Sequence, residues 1–68
     1  MPSSDSEFTL LEDSHVVMVT FGGKQVFTLP KGRTFVYGSL ITRNDSFVVF
    51  QNGLNHYVFE AKSVPEKL

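Results

Sequence analysis

The chain has 68 residues and a mass of 7.6 kDa; 41% of its residues are hydrophobic, 13% aromatic and 19% charged, with a formal net charge of −1 and no cysteine. That length holds one small domain, which buries only about 60% of the surface its unfolded chain exposes. Without cysteine there are no disulfides and no thiolate zinc site, so self-association is the expected stabiliser. Balanced charge argues against a coat for nucleic-acid phosphates, and no apolar run approaches the roughly 18 residues of a membrane span.

Residues 1–7 read as an acidic, solvated tail, the opposite of a signal peptide, so a complete cytoplasmic protein starting at Met1 is expected. Ser4 and Glu7 ahead of Phe8-Thr9-Leu10-Leu11 match a helix capping box, which sets a short helix over 5–12 against a first strand over 8–12. Turn signals then recur at Asp13-Ser14, Gly22-Gly23, Pro30-Lys31-Gly32, Arg43-Asn44-Asp45 and Asn52-Gly53. The runs between them are rich in Val, Phe, Thr, Tyr and Ile, which pack well on a pleated surface. Strands are expected near 15–21, 24–29, 33–42, 47–51 and 56–61, with Gly22-Gly23 as a tight hairpin turn. Helical spacing of Leu54, Tyr57, Val58 and Ala61 competes with the last strand, and Tyr57-Val58-Phe59 favours the strand. Residues 62–68 read as a second tail, leaving a single β domain over 8–61. Asn44-Asp45-Ser46 spells a glycosylation sequon, read here as a turn.

Five or six runs with short connections give an all-β fold, a small antiparallel meander closing into a barrel or half-barrel. Gly38, in the middle of the longest run, marks a bend at which one strand serves two sheets. Both sides of 15–21, 33–42 and 47–51 are apolar, more than 68 residues can cover. A partner copy is the simplest cover, so a homo-oligomer, most simply a dimer, is expected.

Chemistry has few footholds. A meander brings the turns at 13–14, 30–32 and 52–55 to one end and sets His15 and His56 together near Glu12, Asp13, Lys31 and Arg33. Two histidines with carboxylates suit a metal or an acid/base pair, but exposed strand-edge histidines are the simpler reading. Asp13-Ser14-His15 holds the letters of a hydrolase triad, yet consecutive residues cannot converge as one. No Gly-x-Ser-x-Gly or His-Glu-x-x-His occurs, and Gly22-Gly23-Lys24 lacks a following helix to bind phosphate. No catalytic residue, metal or cofactor is assigned, and the expectation is a non-enzyme.

Nine aromatics, seven of them Phe, are assigned chiefly to core and interface, with base stacking as the alternative. Tyr37, Tyr57, Lys31 and Arg33 are the candidate contact residues, since Tyr and Arg are enriched at interface hot spots. An uncovered strand edge could also accept a strand from a partner. Residues 26–61 run strand, Lys31-Gly32 turn, bent strand with Gly38, Asn-Asp turn, Phe47-Val48-Val49-Phe50, Asn52-Gly53 and a final strand. That order resembles the Sm-like RNA-binding rings, whose strands carry a mid-strand glycine and a following aspartate, here Asp45. The glycine-to-aspartate spacing is longer than in that family, and a hairpin over 15–29 precedes the match. The resemblance implies architecture. The function expected is a binding or assembly module acting through protein–protein contacts; the alternative is a single-stranded nucleic-acid (RNA) binder of Sm-like or OB-like type.

Overall fold

A computed structural model describes residues 6–66. Seven antiparallel strands form two sheets: β1 (Ser6–Thr9), β2 (Ser14–Thr20), β3 (Gly23–Leu29), β4 (Thr34–Tyr37), β5 (Ser39–Arg43), β6 (Phe47–Asn52) and β7 (Asn55–Glu60). A single 3₁₀ turn, Ala61–Ser63, follows β7. The fold is all-β as expected, and β1 is a strand where a helix over 5–12 competed. The Ser4 half of the capping box lies outside the described residues.

The larger sheet has the order β3-β2-β7-β6-β5, and β1 pairs with β4 as a separate two-stranded ribbon. This corrects the simple meander. The first strand skips two neighbours in sequence to pair with the fourth, and β7 returns across the sheet to pair with β2, Val17 opposite Val58. The large sheet does not close: β3 and β5 are its edges.

Gly38 makes the corner. The expected strand over 33–42 is split there, β4 entering the ribbon and β5 the large sheet. The Gly38 N–H donates to Gln51 O at 3.0 Å, and a Cβ on residue 38 would stand 2.8 Å from that same oxygen. Only glycine lets the two backbones come so close.

Turn chemistry fixes the ends of the hairpins. The Arg33 N–H donates to Pro30 O at 3.2 Å, and Gly32 has φ +87°, the positive angle a type II turn needs at its third residue. Asn44 closes the β5–β6 turn, its side-chain oxygen accepting from the N–H groups of Ser46 (2.7 Å) and Phe47 (2.9 Å). The β2–β3 turn is displaced by one residue from the expected place. Thr20 pairs with Gly23, so Phe21-Gly22 form the apex and Gly23 alone of that glycine pair has positive φ.

The ribbon lies over one face of the large sheet, and the core fills the space between. Phe8, Leu10, Val16, Val48, Phe50, Phe59 and Val64 are buried, with Phe27, Phe35, Tyr37 and Tyr57 packed against them. Phe8 of the ribbon sits 5.0 Å from Phe50 and 5.3 Å from Phe59 between ring centroids, within the range of favourable aromatic pairs. Residues beyond β7 belong to this core. Ser63 and Val64, expected in a solvated tail, are fully or almost fully buried. The Leu11 N–H donates to Ser63 O at 2.9 Å, and the Arg43 guanidinium donates to Pro65 O at 2.8 Å.

Candidate functional site

Of the residues that chemistry would need, His15 and His56 come first. β2 and β7 are neighbours, but they run antiparallel, with Val19 opposite His56. His15 is therefore four residues further along β2, about 13 Å away at strand rise. The corner at Gly38 is the reason: it reverses the direction in which the remaining strands are counted, so His56 begins its strand at the far end. Among the described residues no group of three His, Asp or Glu side chains is placed to hold a metal.

His15 instead meets Glu60. Its ring Nδ1 lies 2.9 Å from Glu60 Oε2, and its backbone N–H donates to the same oxygen at 3.0 Å. The Glu60 N–H in turn donates to Ser14 Oγ at 3.2 Å. These side-chain bonds continue the β2–β7 pairing where the backbone ladder stops. Lys62 Nζ stands 3.7 Å from Glu60 Oε1 and 3.9 Å from Glu12 Oε1. The two bonds from His15, backbone first and ring second, hold the Glu60 carboxyl below its usual pKa; Lys62 adds to the effect and partial desolvation opposes it.

The four candidate contact residues do not form one patch. Tyr37 and Tyr57 belong to the aromatic cluster, Tyr37 at 4.4 Å from Phe50 and Tyr57 at 4.9 Å from Phe35 between centroids. Lys31 and Arg33 are exposed on the turn before β4, where the Lys31 N–H donates to Asp13 Oδ1 at 2.7 Å. Arg33 and Tyr37 are separated by the length of β4.

What stands out instead is the second face of the large sheet. Paired residues of antiparallel strands share a face, and successive residues alternate between faces. Since Val16, Val48 and Phe59 point into the core, Val17, Val49 and Val58 point away from it. The pairings Val26↔Val17, Val17↔Val58, Val58↔Val49 and Val49↔Thr42 make one continuous row across all five strands. Among the described residues no element lies over this row; the ribbon and the 3₁₀ turn pack on the core side. Val26 is 64% exposed at the edge, while Val17, Val49 and Val58 are half-buried by one another. On one side of the row the same face carries Lys24, Val19, His56 and Gln51; on the other it carries Thr28, His15, Glu60 and Phe47.

Two further apolar side chains were hidden from the sequence reading. Phe21 and Leu54 form the tips of the β2–β3 and β6–β7 hairpins and are almost wholly exposed. Gly53, with φ +67°, opens the second turn and puts Leu54 at its apex. The signal was the glycine spacing, but a shift of one residue decides whether Phe21 ends a strand or crowns a turn.

No helix among the described residues is long and apolar enough to cross a membrane. No family model, curated protein or solved structure matches the chain.

Proposed function

We propose that this chain is a non-enzymatic binding and assembly module that works by protein–protein contact and associates with itself through the outer face of its large sheet. The observation that supports this reading is the valine row. A sheet face exposed to water ordinarily alternates to polar residues, and this one presents Val26, Val17, Val58 and Val49 side by side. A contiguous apolar patch rimmed by polar residues is the kind of surface on which interaction sites are built. The open sheet capped by the ribbon is read as a half-barrel whose outer face is the working surface.

Nucleic-acid binding by base stacking has less support. Seven of the nine aromatic rings are buried in or packed against the core, and the cations Lys24 and Lys31 lie at opposite ends of β3.

Light scattering across a dilution series tests the reading. The native chain is expected at twice its 7.6 kDa chain mass, or a higher multiple, at micromolar concentration. Val58→Lys, at the centre of the row, is expected to return it to a monomer while changing stability by only about 1 kcal/mol, because the position is outside the core. A native monomer at all concentrations overturns the reading.

A further inference from the structure

Apolar side chains and charges are divided between the two ends of the large sheet. The division is independent of the self-association proposed above, because the valine row crosses the middle of the sheet and not its ends.

At one end stand the β2–β3 and β6–β7 hairpin turns. Val19 is opposite His56, and Phe21 and Leu54 each lie two residues beyond that pair in the same direction. The two turns therefore project side by side from neighbouring strands, which are about 4.8 Å apart where they pair. Phe21 is 101% exposed and Leu54 85%, the highest values among the large hydrophobic side chains described. Gly22, Gly23 and Gly53 complete the turns and add no side chain that could cover either. Behind the tips Val19 and Val36 are exposed as well. The Asn52 side chain holds Val36 next to the second turn, its Nδ2 donating to Val36 O at 3.1 Å. Single exposed apolar residues are ordinary, but two at adjacent apexes with others behind them form a contiguous feature.

The charges lie at the other end. There Lys31 and Arg33 flank the turn tied to Asp13, and Lys62 stands beside Glu12 and Glu60. Arg43, Asp45 and Glu66 line the groove next to the 3₁₀ turn. These make nine of the eleven Asp, Glu, Lys and Arg residues described. The other two are Lys24, next to the β2–β3 turn, and Glu7, opposite Val36.

Shape selects the partner. Two protruding side chains touch a flat protein surface at only two points, and a folded partner would need two sockets at matching spacing. A lipid surface is deformable and takes both as they stand, with aromatic rings favoured at its interface. Charge fits the same partner. Charged groups are costly inside a bilayer, so the end with nine of them stays in water, while Lys24 can extend its stem towards the headgroups.

We propose that Phe21 and Leu54 dip together into the interfacial layer of a phospholipid bilayer, with the large sheet standing on end and its charged end in water. Two side chains bury less apolar surface than one myristoyl chain, whose membrane binding is already marginal and reversible. Partition is therefore expected at about millimolar lipid. One cation and one carboxylate near the tips leave little net charge, so zwitterionic lipid suffices and added salt changes little.

The chain has no tryptophan, so Phe21→Trp places a single reporter at a tip. On adding phosphatidylcholine vesicles, its emission is expected to shift to the blue and to be quenched by lipid brominated on the acyl chain. Phe47→Trp, at the charged end of β6, is expected to show neither change. The native chain is expected to sediment with the vesicles at low and high salt alike, and Phe21→Ser and Leu54→Ser each to weaken this about tenfold. Both positions are exposed, so the urea midpoints of these variants are expected to match the native one. No vesicle-dependent shift from Phe21→Trp, or an equal shift from Phe47→Trp, overturns the proposal, as does binding that requires anionic lipid and is abolished by salt. Light scattering without vesicles reads self-association separately, and a native monomer there overturns only that reading.

Discussion

The two faces of the large sheet are built from the same strands by opposite means. The inner face of β6 and β7 carries Val48, Phe50, Tyr57 and Phe59, three of them completely buried under the ribbon; the outer face of the same strands carries Val49, Gln51, His56 and Val58, all only half-buried. Aromatic rings on the inner side bridge the two sheets, with Phe8, Phe35 and Tyr37 reaching over from the ribbon. On the outer side the central row is of short β-branched residues, with the one phenylalanine, Phe47, to the side of it. One face is filled by its own chain; the other is left uncovered by the described residues.

The largest break in that contrast falls on the inner side. Phe59→Ala removes a ring with no exposed surface and contacts to Phe8, Phe35 and Phe50, and is expected to cost about 3–5 kcal/mol in urea unfolding. For so small a domain that is most of its stability, so a broad or absent transition is the expected trace. Next comes the corner that brings the ribbon over the sheet. Gly38→Ala puts a methyl group 2.8 Å from Gln51 O, and the backbone shift is expected to cost about 1–3 kcal/mol, read as a lowered midpoint with unchanged slope. The smallest effect belongs to the outer side. Glu60 is held below its usual pKa, so its stabilising contribution is present above its unfolded-state value near 4.5 and is lost as pH falls through the lower folded value. Glu60→Gln is therefore expected to flatten the fall in melting temperature between neutral pH and pH 3; an unchanged slope would show that His15 does not hold the carboxylate in solution.

That ranking also marks how far the amino-acid order carries. Strand-forming residues and turn signals located four of the five strands of the large sheet to within one residue and β5 only as the second half of a run over 33–42, in which Gly38 announced the corner. The aromatics were assigned to the core by residue type, and three of them are wholly inside it or nearly so: Phe8, Phe50 and Phe59. Alternation fixes which residues share a face, because it depends on one strand alone. It does not fix which strand lies next to which. β1 pairing with β4, β7 pairing with β2, and the separation of His15 from His56 all follow from the direction the chain takes after Gly38. The burial of Val64 follows from the Arg43 and Leu11 bonds that draw residues 63–65 inward, and no local pattern encodes those. The valine row lay in the sequence only as scattered residues; pairing register turned it into a surface.

The union of β2 with β7 has a consequence in time as well as in space. The β2–β3 hairpin and the β5–β6–β7 meander are each closed by short turns and can form within microseconds of each other. Val17 must then find Val58 across more than half the chain, a search whose entropy is spent before any burial repays it. Until that ladder zips, β2 and β7 both offer bare amides and carbonyls to any chain nearby. Protein concentration during refolding therefore governs whether the hairpin captures its own meander or that of a neighbour, and a domain-swapped product is the natural misstep of this topology.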